Sequence, residues 1–410
     1  MPSSPVQDRN RRYVAVCVDS AGSHGRGVLR GIAEYVDTYR SWSVVLDAHT
    51  HATGHYARDW LRKWRGDGIL VYTQNPALPR KLSRSGIPTV ELYSYPLDVG
   101  LPQVGNDNAA IGRLAAEHLI ERRLTHFAFC GYPGELWCQR RGEGFTATAG
   151  QAGIVHESFF GPHLPAALTE SERNQQRLIH WVRRLPKPVG VMACSDRHAQ
   201  RLLDACQAVG VAVPEEVAVI GVNNDEEICL LSHPPLTSVQ DDPRQIGYQS
   251  AALLDQLMSG RLRAKEVEPI LIPPLGVATR RSTDVTATTD RLVAEAARSI
   301  YERACQGLTV KQLLQELSVS RNAFYRRFQS ALGRSPHEQI LHVRFERVKS
   351  LLVQTAFSLE KIAELTGFEY PEYLSVAFKR EFGLPPGAFR RQQRRDNQLG
   401  SAGKNVPKSK

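Results

Sequence analysis

Over roughly the first 280 residues, short apolar runs alternate with amphipathic stretches of about 10–15 residues. The runs at Val14–Val18, Ser43–Asp47, Gly68–Tyr72, Pro88–Leu92, Thr125–Cys130, Pro188–Ala193, Val217–Gly221 and Val267–Ile272 read as strands. Helical periodicity fills Gly27–Tyr39, Tyr56–Trp64, Asn108–Glu121, Gln139–Gln151, Glu170–Arg184, Asp196–Ala208 and Pro243–Met258. Continuous apolar strands separated by helices belong to parallel sheets covered on both faces. The right-handed crossover rule makes a doubly wound sheet the default. The stretch is long for one sheet, and a break near residues 93–106 starts a second strand–helix series. Two doubly wound lobes are therefore expected, with a cleft beyond the C-terminal ends of the strands.

The pattern changes after residue 281. Residues 282–289 are polar, Thr-rich and aperiodic, and are expected to form a linker. Thr289 or Asp290 is a plausible N-cap, and from there to Arg395 the pattern is all helical. The tail 396–410 is Gly-, Ser- and Lys-rich and is expected to be disordered.

Within the helical region two segments repeat at an offset of about 49–50 residues. Thr309 and Ser358 can each cap a first helix. Val310, Leu313, Leu314 and Leu317 then share one apolar face, and Leu359, Ile362, Ala363 and Thr366 share its counterpart. A tight turn follows, with Gly367 in the second copy. A second helix turns Phe324 and Phe328 inward, or Leu374 and Phe378. Each copy is thus a helix-turn-helix. Pro336–Leu352 reads as one helix joining them. The outward face of the first copy carries Arg321, Asn322, Tyr325, Arg326 and Gln329, groups suited to base edges and phosphates.

Charge strengthens this reading. The net formal charge is +10, and nearly all of it lies after residue 289, where about 21 Lys and Arg face about 12 Asp and Glu. A basic excess confined to one end suits a domain that meets a polyanion. The seven cysteines are scattered, several of them in strand-like runs. That suits buried thiols in a reducing compartment. Met1–Tyr13 is polar, so no signal peptide is expected. No apolar run is long enough to span a bilayer. A cytoplasmic protein without membrane partners is expected.

The repeat resembles the AraC-type DNA-binding domain over Leu308–Arg390. The most specific match runs from Ile362 through Gly367 and Phe368, then from Tyr373 through Phe382, Gly383 and Pro386 to Arg390. The resemblance implies that the second helix of each unit enters successive major grooves. Asn322, Tyr325 and Arg326 would then read bases. In the second unit the matching positions are Glu372, Ser375 and Val376, with Lys379 nearby. Val376 cannot hydrogen-bond, so less direct readout and more phosphate positioning is expected there.

Residues 12–281 resemble the periplasmic-binding-protein-like domain of LacI/GalR repressors. The carrying residues are Val104–Gly112, His118, Arg141–Phe145, Cys194–Ala199, Val217–Asp225 and Pro235–Val239, in that order and spacing. That family's N-terminal helix-turn-helix is missing; the DNA reader stands at the other end. The order matches regulators of the xylose operon type. The expected fold is thus an α/β two-lobed sensor with doubly wound parallel sheets, followed by an all-α double helix-turn-helix domain over 290–395. The resemblance implies a sugar effector such as xylose, a double-stranded DNA operator, a homodimer, and RNA polymerase as partner if the chain activates.

Sugar hydroxyls call for carboxylate, amide and guanidinium partners, and sugar C–H faces for an aromatic ring. Arg141 matches the repressors' sugar-contacting arginine and Asp107 the family's aspartate. Asp196, and Asn224 or Asp225, stand at strand ends. Asp19, Ser20 and Arg26 follow the first strand, and Trp137 can stack on a ring. Asn223 stands where the repressors usually carry Asp. Ser195 and Asp196 also suit a helix N-cap.

Other chemistry is thinly supported. His49, His51 and His55 lack a nearby carboxylate or cysteine, so no metal is expected. Gly22–Gly27 lacks the ending and spacing of a phosphate loop. No nucleophile–base motif occurs, so neither an enzyme nor a cofactor is expected. An exported solute-binding protein would need a signal peptide and would not need the helical module.

Overall fold

A computed structural model describes residues 11–18, 20–39, 42–47, 64–72, 77–92, 100–161, 168–284 and 290–392. Asp19, residues 56–63 of the expected second helix, His49, His51, His55, most of the expected linker and the basic tail lie outside them. The chain divides into two compact units, Met1–Val285 and Thr286–Lys410.

The first unit contains two sheets. In the first lobe, β1 (Arg12–Cys17), β2 (Trp42–Asp47), β3 (Gly68–Val71) and β4 (Thr89–Glu91) form a parallel sheet in the order β2-β1-β3-β4. Helices α1 (Ser23–Tyr39) and α2 (Ala77–Ser83) connect strands of this sheet. A bridge between Glu91 and Gln103 leads to β5 (Val104–Asn106). In the second lobe the sequence supplies α3 (Asn108–Glu121), β6 (His126–Gly131), α4 (Leu136–Ala149), β7 (Ile154–Val155) and β8 (Phe159–Phe160). There follow α5 (Leu168–Arg184), β9 (Val189–Ala193), α6 (Asp196–Ala208), β10 (Val217–Val222), α7 (Glu226–Leu231) and β11 (Thr237–Gln240). Strands β11, β10, β9 and β6 run parallel, side by side.

The lobes are not successive stretches of chain. After β11, helix α8 (Pro243–Met258) returns to the first lobe. Its Ile246, Leu253, Leu254 and Leu257 join Val14, Val16, Leu70 and Val90 in one core. It packs on α1 at backbone distance: a Cβ on Gly31 would stand 1.9 Å from the Arg244 carbonyl oxygen. Strand β12 (Ile270–Ile272) pairs with β5, and β13 (Gly276–Ala278) crosses back to pair antiparallel with β11. The chain therefore passes between the lobes three times, near residues 106, 241 and 274. A break at residues 93–106 accounts for the first crossing only.

Residues expected in the linker are partly fixed to the second lobe. Arg281–Thr283 form a buried 3-10 turn. Ser282 Oγ donates to the Val219 carbonyl at 2.6 Å, and Arg281 pairs with buried Glu215 at 2.9 Å. Thr283 meets Thr237 and His118 through its hydroxyl, both at 2.8 Å. These side chains read as polar in sequence, yet each hydroxyl finds a buried partner, which makes burial tolerable.

The second unit is helical. Asp290 caps α9 (Arg291–Arg303). Thr309 forms a capping box for α10 (Val310–Glu316), which is followed by α11 (Arg321–Leu332). Ser335 forms another for α12 (Pro336–Gln354). Ser358 caps α13 (Leu359–Thr366), Gly367 ends it at φ 72°, and α14 (Pro371–Phe382) follows. Phe324 and Phe328 are fully buried in the first hairpin, and Leu374 and Phe378 in the second.

Candidate functional site

A cavity of about 540 Å³ opens where the strand ends of the two lobes meet. Each contributor follows a strand or starts a helix. His24 begins α1, Asn106 ends β5 and Asn108 begins α3. Tyr132 follows β6, Asp196 begins α6, and Asn223 and Asp225 follow β10. This is the position at which open α/β sheets hold ligands.

Arg141 reaches the cavity from α4 and is 4% exposed. Its Nε donates to Asn108 Oδ1 at 2.9 Å and one terminal nitrogen donates to the Cys194 carbonyl at 2.6 Å. Its guanidinium carbon lies 4.9 Å from the Trp137 ring centroid. Burial lowers the Arg141 pKa, with nearby Asp241 opposing. The helix carrying it is set by glycine: a Cβ on Gly112 of α3 would stand 2.0 Å from the Arg141 carbonyl oxygen.

Two carboxylates differ in character. Asp196 accepts from Ser238 Oγ at 2.6 Å and from the Asp225 amide at 2.7 Å. Burial pushes its pKa up to about 7, against those two hydrogen bonds. Asp241, just after β11, is the hub of a polar cluster. Its Oδ2 meets His24 Nδ1 at 2.6 Å, Asn223 Nδ2 at 2.9 Å and Asn106 Nδ2 at 3.2 Å. Burial works to raise this carboxyl, but His24, Arg141 and Asn106 outweigh it and hold it below its ordinary value. Among the described residues, neither Asp241 Oδ1 nor Asn106 Oδ1, both buried acceptors, has a hydrogen-bond donor. Tyr132 stands edge-on to Trp137 at 5.7 Å, completing an aromatic wall.

Of the residues the sequence singled out, Trp137, Arg141, Asp196 and Asp225 line this cavity. Four others do not. Asp107 caps α3, accepting from the Ala110 amide at 2.9 Å. Arg26 turns back on its own loop to the carbonyls of Ala21 and Ser20. Asn224 sits beside the lining with its amide bonded to Ser238. Ser20 contributes a carbonyl to the Arg26 contact. Sequence reasoning did not single out His24, Asn106, Asn108 and Tyr132, which line the cavity, or Asp241, which bonds to three lining residues. Asn106 and Asn108 flank Asp107 in the motif already noted.

In the second unit the α11 residues Arg321, Asn322, Arg326 and Gln329 are exposed and Tyr325 is half-buried. The Arg321 guanidinium lies 5.4 Å from the Tyr325 ring centroid. The neighbouring Arg327 serves structure instead, holding Asp290 with two contacts of 2.7 Å. On α14, Glu372, Val376 and Lys379 are exposed and Ser375 is half-buried. Arg344 of α12 donates to the carbonyls of Ala304 and Leu308, and Arg390 to those of Leu352 and Phe357. Both stitch helix ends together, a packing use of cations in a basic module.

Among the described residues, no group of three or more metal-ligating side chains occurs, and no helix is long and apolar enough to cross a membrane.

Fold and site define a transcription regulator: a ligand-binding domain of the periplasmic-binding-protein type followed by a double helix-turn-helix DNA-binding domain. A periplasmic binding protein-like domain model matches residues 116–283 and a helix-turn-helix domain model residues 313–392. The xylose operon regulatory protein of Haemophilus influenzae is 32% identical over 392 residues, covering 92% of this chain and 97% of that one. Its Escherichia coli K12 counterpart is 31% identical over 93% of this chain and 97% of its own. The chain belongs to the family of xylose operon regulatory proteins. The solved structure of the xylose-binding transcription activator xylR superposes with a TM-score of 0.77 at 28% identity, covering 93% of this chain and 98% of that one. These relatives are regulators and not enzymes.

Proposed function

We propose that the effector is a sugar such as xylose, held in the interlobe cavity, and that its binding alters affinity for a DNA operator. The observation that carries this reading is Asn106 Oδ1, a buried acceptor on a cavity-lining side chain with no donor among the described residues, backed by Asp241, whose carboxylate holds the lining residues His24, Asn106 and Asn223 and whose Oδ1 likewise has none. Such atoms are costly unless a donor reaches them. A polyol supplies hydroxyl donors, while Arg141 donates to hydroxyl oxygens and the Trp137 and Tyr132 rings face the apolar C–H surface. The cavity volume lies in the ordinary range for small-ligand sites. The relatives' xylose regulation favours a pentose.

The remaining roles follow from this reading. Asn322, Tyr325, Arg326 and Gln329 contact bases or phosphates from α11, with Arg321 at its start. Glu372, Ser375, Val376 and Lys379 do so from α14. The chain acts in the cytoplasm as a homodimer, and where it activates it does so by engaging RNA polymerase. The sugar must bind one arrangement of the lobes more tightly than the other, or no regulation results. The test is operator affinity at fixed salt with and without xylose and other sugars. A changed affinity with a bound pentose supports the reading; equal affinities with every sugar that binds reject it.

A further inference from the structure

The second helices of the two helix-turn-helix units share a register but present opposite chemistry. Counted from their first helical residues, Arg321 and Pro371, the positions of Asn322 and Arg326 in α11 are those of Glu372 and Val376 in α14. Burial of Leu374, Ala377 and Phe378 fixes which side of α14 faces outward. In the middle of that side Val376 is 68% exposed. Glu372 lies one turn before it, and Lys379 and Arg380 lie one turn after, all exposed. A valine so exposed contributes nothing to the core of its own unit. The cations beyond it keep this end of the helix attractive to phosphates despite the carboxylate.

Resting on the reading that α14 enters a major groove, we infer that it reads pyrimidines. Val376 packs against the C5 methyl of thymine, and the Glu372 carboxylate accepts from the N4 amino group of cytosine. Thymine alone of the four bases offers a methyl group in that groove. Cytosine offers a donor without the N7 acceptor that on adenine would repel a carboxylate. At the same two positions α11 carries Asn322 and Arg326, the side chains matched to adenine and guanine edges. One chain therefore reads its two groove segments by different codes, so the two segments within one chain's site differ in sequence.

The test uses the full chain and duplexes it selects from a random pool. Thymines of the selected site are then replaced one at a time by deoxyuridine, which removes only the methyl. At one thymine the wild type should lose about fourfold in affinity, the value of roughly one buried methyl. Val376→Ser should bind the thymine and deoxyuridine duplexes equally, while keeping its other base preferences. Glu372→Gln should relax a cytosine preference next to that thymine. The inference is overturned if no single replacement weakens the wild type, or if Val376→Ser keeps the methyl dependence. Failure to select any sequence, with no salt-sensitive binding, would instead remove the DNA-reading role on which this rests.

Discussion

Replacing Arg141 by alanine isolates the cleft's chemistry. The substitution removes two hydrogen bonds to buried acceptors, Asn108 Oδ1 and the Cys194 carbonyl. Each is worth about 1.5–3 kcal/mol for a charged donor. Relief from burying a cation offsets part of that loss. The unliganded protein should therefore lose about 1–3 kcal/mol. Sugar binding suffers more. The ligand loses a charged donor, and Trp137 loses the guanidinium at 4.9 Å that helps fix its ring. A hundredfold rise in Kd corresponds to about 2.7 kcal/mol.

Thermal unfolding with and without xylose separates the two effects. At a sugar concentration of about 100 times the wild-type Kd, the wild type gains about 2.7 kcal/mol from binding. At the same concentration the variant gains only about 0.4 kcal/mol. Arg141→Lys should also fail, because an ammonium cannot serve two diverging acceptors from one planar fork. Basal operator binding should persist in both. An Arg141→Ala protein that keeps the full sugar-induced rise in melting temperature would refute the placement of Arg141 in the site.

Three further outcomes are expected. Burial holds the His118 pKa down to about 3, so the native state keeps it neutral while the unfolded chain protonates near 6.5. Its contribution is present above pH 6.5 and is lost as the pH falls, about 2 kcal/mol by pH 5. Asp196, raised to about 7, acts in the opposite sense, so its contribution is present at low pH and fades as the pH rises towards 7. Denaturant titrations should therefore show His118→Gln flattening the acid-side loss of stability and Asp196→Asn steepening it; matching pH profiles in wild type and variants would contradict both. Phe378→Ala should cost about 3–5 kcal/mol, because this fully buried ring contacts Phe345, Phe382 and Phe389. DNA association should go while sugar binding by the first unit remains, as read by gel shift and calorimetry. Arg326→Ala should weaken specific binding by about 1–3 kcal/mol and relax one base position; an unchanged selected sequence would remove it from base reading.

What the sequence made legible follows the physics of each signal. The helix-turn-helix pair could be read because caps, apolar spacing and turn glycine all act locally. Thr309 and Ser358 cap through their hydroxyls, and Gly367, lacking a Cβ, takes the left-handed turn. Of the strands outside the expected set, β5, β7, β8 and β13 have only two or three residues each, and β11 carries hydroxyls where apolar side chains would have marked it. Thr237 and Ser238 of β11 are fully buried, because Thr283 and Asp196, distant in sequence, satisfy their hydroxyls and Ser282 Oγ accepts from the Thr237 amide. Without β11 as a strand, Asp241 has no strand end to stand on. It then reads as part of an acidic helix start, a role its neighbour Asp242 does fill by accepting from the Gln245 amide.

The same ambiguity explains the choice of Asp107 over Asn106 and Asn108. All three lie at one strand-to-helix corner, where a carboxylate can cap the helix or face a ligand. Asp107 accepts from its own helix at Ala110, which leaves the flanking amides to face the cleft. Only the returning helix α8 decides the matter. By rejoining the first lobe through Ile246 and Leu254, it carries the chain across the cleft just after Asp241 and sets that carboxylate against His24, Asn106 and Asn223. That contact spans 217 residues of sequence between His24 and Asp241. No local periodicity encodes it, so the acid that ties these lining residues together becomes visible only once the chain's three crossings between the lobes are known.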